Sequence, residues 1–216
     1  MKKLLLVHFF CMFLLIHTPS VEASERTPNS MPVDSSLLHA LRKGGYILYV
    51  RHGETAAGED LPNFDFNHCS TQKNLSEAGR RHAVQYGEEL RRLQIPIHIP
   101  VQASPFCRTK ETAALAFGGG NIQIDPFWVR IYQLSGPLPS SEQQSTLDHL
   151  TSVLEILPPP GTNKAIVAHG FPQGVGLGEI TNLGTVIVKP RGPDNGFEVV
   201  GRFSLQDLAG TETAEN

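Results

Sequence analysis

The chain has 216 residues, 18 of them basic and 21 acidic, for a net charge of −3 with neutral histidines. That length holds one ordinary domain with a substantial core. A mildly acidic chain with no basic run has no general attraction for nucleic acid or anionic membrane, so any anion it binds is caught by a local cluster of cations.

Lys2 and Lys3, the apolar run Leu4 to Ile16 and the small residues Val21 and Ala23 predict a secretory signal peptide over residues 1–23, cleaved after Ala23. The run is too short to cross a bilayer as a helix, which takes roughly 20 residues. An uncleaved anchor is the alternative. The expected location is periplasmic or secreted, with no stable membrane insertion once the leader is removed. Residues 24–35 are polar, carry Pro28 and Pro32, and read as a flexible lead-in to a domain over 36–208.

Within that domain, Ser36 to Lys43 has the spacing of a short amphipathic helix stopped by Gly44 and Gly45. Tyr46 to Val50 is a continuous apolar run rich in β-formers, suited to a central strand covered on both faces, and it ends in Arg51-His52-Gly53-Glu54-Thr55. Residues 56–69 have no period and read as a loop. A helix is predicted from Ser76, its cap, to about Leu93, where Pro96 follows. Ile97 to Ala103 reads as a strand delivering Ser104 to Arg108, and 109–117 as a helix stopped by Gly118-Gly119-Gly120. Residues 121–129 suggest an edge strand, 132–143 a loop, and 147–157 a helix ended by three prolines. Ala165 to Ala168 is a strand delivering His169-Gly170. Residues 184–188 and 197–203 are two late strands, and 209–216 a polar tail. Strands separated by helices indicate an α/β sandwich with a mainly parallel sheet.

Three strand ends thus present Arg51-His52, Arg108 and His169, at the edge of an α/β sheet where ligands bind. The set is coherent for phosphoryl transfer. A neutral imidazole is a nucleophile at neutral pH that needs no separate base. Guanidinium forks fit phosphate oxygens and tighten as charge develops in the transition state. His52, His169 and Glu54 lack the spacing of a metal site, so neither metal nor other cofactor is expected. Cys69 and Cys107 read either as a disulfide, which an oxidising compartment permits, or as buried thiols.

Arg51-His52-Gly53-Glu54-Thr55, Asn74 to Arg80, Ser104 to Ala113 and Val167 to Gly170 together resemble the histidine phosphatase superfamily, the phosphoglycerate-mutase-like proteins, over roughly residues 46–170. The resemblance implies a three-layer α/β/α sandwich. It implies a nucleophilic His52 phosphorylated in a ping-pong reaction, with His169 beside it and Arg51 and Arg108 completing the phosphate pocket. Glu54 would orient the loop. Thr55 and backbone N–H groups near Gly53 and Gly170 would contact phosphate, unless the glycines serve only close backbone approach. Glu111 would fix the Arg108 guanidinium, unless it is an ordinary surface glutamate.

The chain departs from the family at the general acid. Mutase-like members carry a glutamate somewhat under thirty residues past the second arginine, whereas residues 127–141 contain no Asp or Glu. Histidine acid phosphatases carry an aspartate directly after the second histidine, where this chain has Gly170. Glu179, Asp60 and Asp65 are the candidate proton donors. Phe64, Phe66, Trp128 and Tyr132 would either grip an apolar part of the substrate or close the core, and Arg130 is a candidate extra anion contact. The expected activity is metal-independent hydrolysis of a phosphomonoester or phosphoramidate, on a small phosphorylated molecule or a phosphorylated surface saccharide. A non-catalytic phosphate-binding or scaffold protein and a phosphomutase are the alternatives.

Overall fold

A computed structural model describes residues 33–212. The expected leader, most of the lead-in and the last four residues of the tail lie outside that range.

Asp34 caps the first helix, α1 (Ser35–Lys43), accepting from the amides of Ser36 and Leu37. Leu38 and Leu41 are its buried face, and Gly44 ends it at φ +81, where a Cβ would sit 2.5 Å from the Thr162 amide nitrogen. Strand β1 (Ile47–Arg51) follows, then α2 (Glu77–Arg92), β2 (Val101–Ala103) and α3 (Cys107–Phe117). Beyond these come β3 (Ile122–Ile124), α4 (Trp128–Gln133), α5 (Ser140–Leu154) and β4 (Lys164–Ala168). The chain closes with β5 (Thr185–Pro190), β6 (Phe197–Phe203) and α6 (Leu205–Ala209).

The six strands form one sheet in the order β3-β2-β4-β1-β5-β6. β3, β2, β4 and β1 run parallel to one another, β5 is antiparallel to β1, and β6 is antiparallel to β5. The sheet separates two cores because strand side chains alternate between faces. Leu48, Val50, Ala165, Val167 and Ile187 pack with Leu41, Tyr86, Leu90 and Ala113 from the helices on one face. Ile47, Tyr49, Ile166, Ala168, Val186 and Val188 meet Trp128, Ile131, Leu150 and Leu154 on the other. The result is a three-layer α/β/α sandwich with a mixed, mostly parallel sheet. Among the described residues no helix is long and apolar enough to cross a membrane.

Several elements differ from the sequence reading. The second strand is shorter, Val101–Ala103, with Ile97 making only an isolated bridge to Asn163. Pro96 and Pro100 have no N–H to donate to a ladder there. The edge strand over 121–129 shrinks to three residues and is followed by α4, whose Trp128 and Ile131 are core side chains. Helix α5 begins at Ser140, inside the expected loop, because its first turns face solvent and show no apolar period. The short helix α6 closes with a capping box between Ser204 and Asp207.

Candidate active site

The carboxyl ends of β1, β2 and β4 open onto a cavity of about 490 Å³. Arg51, His52, Arg108 and His169 all line it, with Thr55, Gly58, Glu59, Asp60, Lys73, Tyr132, Ser135, Gly170 and Phe171. The four side chains predicted from the strand ends therefore converge on one space.

His52 is 7 % exposed, and its Nδ1–H donates to the Gly53 carbonyl at 2.8 Å. A carbonyl only accepts, so this bond assigns the ring proton to Nδ1 and leaves the lone pair on Nε2. Burial, reinforced by the charges of Arg108 and Arg51, pushes the His52 pKa down to about 3, against an opposing pull from the Gly53 bond. His169 sits with its ring centroid 5.6 Å from that of His52. Its Nε2 pairs with the Ser104 hydroxyl at 2.9 Å, and its buried Nδ1 has no protein partner. Burial, then the neighbouring His52, Arg108 and Arg51, hold it well below the usual imidazole range. Both rings are thus neutral.

Arg51 projects from the last residue of β1 and donates to the Ile180 carbonyl at 2.7 Å, while its buried Nε has no protein partner. Arg108, in the first turn of α3, is stacked on Phe106 with its guanidinium carbon 4.2 Å from the ring centroid. One of its amino groups, Nη1, donates to Asp60 at 2.9 Å and to the Lys73 carbonyl at 3.2 Å. The remaining donors of the fork are uncommitted.

Asp60 enters the site from the loop after β1. Its carboxylate accepts from Arg108, from the Lys73 amide at 2.8 Å and from the Tyr132 hydroxyl at 3.1 Å. Burial alone raises its pKa, but the Arg108 and Lys73 hydrogen bonds, the Arg108 charge and the Tyr132 hydroxyl together bring it below the ordinary carboxylate value. A carboxylate held by three donors is suited to accept protons in hydrogen bonds, not to supply one. Glu179, the other principal donor candidate, is exposed and does not line the cavity. Arg202 donates to the carbonyls of Leu177 and Glu179, and only the neighbouring Ile180 reaches the site, through its carbonyl on Arg51. Asp65 is turned to solvent, paired with His68 at 2.7 Å.

Glu111 pairs with Arg80 of α2 at 2.6 Å and not with Arg108, whose carboxylate partner is Asp60. Glu54 is exposed and accepts from Ser76 at 2.7 Å, joining the first motif to the start of α2. Thr55 lines the cavity and bridges Leu75. The Gly53 amide donates to Thr112 at 3.0 Å and is unavailable to an anion. Gly53 is a glycine for space, since a Cβ would meet the Gly79 carbonyl at 2.9 Å. At Gly170 a Cβ would find only ordinary contacts, the nearest at 3.5 Å. Phe64 and Phe66 are half-buried on Phe106 and Trp128 is a core side chain against Tyr49, while Tyr132 alone of the four aromatics faces the cavity. Arg130 does not line it.

Cys69 and Cys107 are bonded to each other, and the Cys107 amide donates to Gln72 at 2.8 Å. The loop carrying Asp60 is therefore tied covalently to the residue before Arg108. Ser104, Glu59, Lys73 and Ser135 were not marked by the sequence as site residues. Ser104 had a signal, its place at a strand end next to the Arg108 block, while the others lie in segments without period.

Residues 47–128 match the model of the histidine phosphatase superfamily (branch 1). No curated protein matches the sequence significantly. Among solved structures the fold is similar to a candidate alpha-ribazole-5'-P phosphatase from Escherichia coli, with a TM-score of 0.52, 14 % identity and coverage of 75 % of this chain and 98 % of that one. It is similar to an open-reading-frame product of Mycobacterium tuberculosis, with a TM-score of 0.52, 18 % identity and coverage of 75 % and 98 %. Mycobacterial hydrolase 1 gives a TM-score of 0.50, 16 % identity and coverage of 73 % and 97 %. Identities this low speak to the fold alone. Over that matched segment and in the order of its motifs, the chain is similar to the histidine phosphatase superfamily, and its architecture is the fold of these structures.

Proposed function

We propose that the protein is a metal-independent phosphatase that passes a phosphoryl group through Nε2 of His52 to water. The observation that carries this reading is the bond from His52 Nδ1–H to the Gly53 carbonyl. It leaves a neutral imidazole with its lone pair on the other nitrogen, in a cavity that also holds two arginines. Arg51 and the free side of the Arg108 fork would grip the non-bridging oxygens, and the unpartnered Nδ1 of His169 would meet the transferring group. The substrate is a small phosphorylated molecule or a phosphorylated surface saccharide, since the cavity is lined mainly by polar side chains. An exported setting belongs to the same proposal. It is supported by the composition of residues 1–23 and by the Cys69–Cys107 bond, which an oxidising compartment preserves.

Purified protein should release inorganic phosphate from a chromogenic aryl phosphate in the presence of chelator, and a brief quench should trap phosphate on His52. His52→Ala should reduce turnover to the uncatalysed level. Undiminished activity in that variant would remove His52 from the reaction.

A further inference from the structure

The cavity contains three cations, Arg51, Lys73 and Arg108, and two carboxylates, Glu59 and Asp60, with both histidines neutral. One net positive charge remains. Asp60 has removed half of what the arginines would otherwise offer a phosphate, and it does so from inside the pocket, bonded to a guanidinium that must also bind substrate. The groups facing Asp60 are Arg108 from α3, Tyr132 from α4 and Lys73 from the loop before α2, with Glu59 beside it and His52, Arg51 and His169 on the strand ends. Asp60 accepts three hydrogen bonds and has no proton to give. Tyr132 spends its hydroxyl hydrogen on Asp60, and burial together with the Asp60 charge raises its pKa. A fully ionised phosphate monoester would place two negative charges beside Asp60, whereas a singly protonated one would place a P–OH donor there.

We propose that Asp60 makes the site select the monoanionic form of its phosphate monoester, and that the substrate's own proton is the one the leaving group takes. This rests on the phosphatase reading above. In the first step the lone pair of His52 Nε2 forms the N–P bond and the P–O bond to the leaving group breaks. The phosphate proton moves to the leaving oxygen, which departs as a neutral alcohol. The bound group is then a phosphoryl dianion on an imidazolium whose Nδ1–H stays on the Gly53 carbonyl. In the second step water forms the new O–P bond, the N–P pair returns to Nε2, and both water protons remain on the departing dihydrogen phosphate. One of them faces Asp60, so the protonation pattern at entry is restored at exit.

The test is the alkaline limb of kcat/KM. Phosphate esters lose their second proton near pH ~6. Wild-type kcat/KM should therefore fall about tenfold per pH unit above the second ionisation of the ester used. With esters of different acidity the limb should move with the substrate. A limb that stays at one pH whichever ester is supplied belongs to a protein group and overturns the proposal, as does a flat profile. Calorimetry with inorganic phosphate gives a second reading that needs no turnover. Affinity should weaken about tenfold per unit above the phosphate's own second ionisation, and constant affinity overturns the idea. Asp60→Asn should flatten both profiles, while Tyr132→Phe, which keeps the carboxylate, should retain them. An Asp60→Asn enzyme with the wild-type limb shows that the residue merely positions Arg108. Should Asp60→Asn not fold, the ester series and the calorimetry on wild type decide alone. His52→Ala tests the nucleophile separately, since phosphate binding by that variant still reports the Asp60 effect.

Discussion

Burial keeps His52 uncharged, and one backbone carbonyl decides which of its nitrogens holds the proton. Burial is the larger cause, with the Arg108 and Arg51 charges adding to it, so the proposed nucleophile depends on its position at the mouth of β1 more than on a catalytic partner. Arg108 is the opposite case. Phe106 stacks on it, Asp60 and the Lys73 carbonyl pin one corner, and the rest of the fork faces the cavity. A lysine has no fork to divide in this way. Arg108→Lys should lower kcat/KM by ~10²–10³-fold, the usual loss for one preorganised donor at a charged transition state. A fall of less than tenfold in steady-state assays would mean that Arg108 binds no phosphoryl oxygen.

At the scale of elements, two attachments build the pocket wall. The first is the seat of the Arg51–Thr55 segment on α2. A Cβ on Gly79 would lie 2.1 Å from the Glu54 carbonyl oxygen, so only glycine lets the helix approach so closely. The Ser76 cap then reaches across to Glu54. The second is the Cys69–Cys107 bond, which spans 38 positions and holds the Asp60 loop to α3. Chain-entropy arguments for a loop of that length give about 4 kcal/mol. Replacing both cysteines by serine should lower stability by that order in chemical denaturation. Activity should fall further than KM alone explains, because Asp60 loses its fixed place beside Arg108. Unaltered steady-state kinetics in the double variant would show that the loop holds its position through the Gln72 and Lys73 contacts by themselves.

The whole molecule carries the cost of two buried neutral histidines. In the unfolded chain both titrate near pH ~6.5, but in the folded protein His52 stays neutral down to about 3 and His169 is also strongly depressed. Above ~6.5 neither state is protonated and the histidines contribute nothing to the pH dependence. As pH falls through that range the unfolded chain takes up protons that the folded one refuses, so stability declines with acidity. Each histidine contributes up to ~1.4 kcal/mol per pH unit over its window. Urea midpoints measured from pH 7 towards pH 4 should therefore drop, and His52→Asn should make the slope shallower. An identical slope in that variant would mean that His52 is protonated in the folded state.

Sheet and helix identities were largely legible because central strands such as Tyr46 to Val50 bury both faces and read as unbroken apolar runs. Helices with one solvent face were legible where the apolar period was complete, as in α2. It was not complete in the early turns of α5 or in α4, whose Trp128 and Ile131 are only two contact points. The same distinction holds in the site. Arg51, His52 and His169 sit at ends of strands and Arg108 at a helix start just after one, so local sequence places them on one rim. Asp60, Lys73 and Tyr132 reach that rim by the folding back of aperiodic loops and by the docking of a short helix, and spacing carries no direction for either. Reach along the chain suggested Glu179 and Glu111, but the first is exposed outside the cavity and the second is claimed by Arg80.

The amino-acid order by itself therefore determined the α/β layering, the four residues that could share an anion and the family pattern they form. These follow from hydrophobic periodicity and from motifs attached directly to strand ends. Tertiary structure alone decided which nitrogen of His52 is free, which carboxylate stands beside Arg108 and how much net charge the pocket keeps. Those are set by burial and by contacts between segments distant in sequence, and such distances have no local imprint.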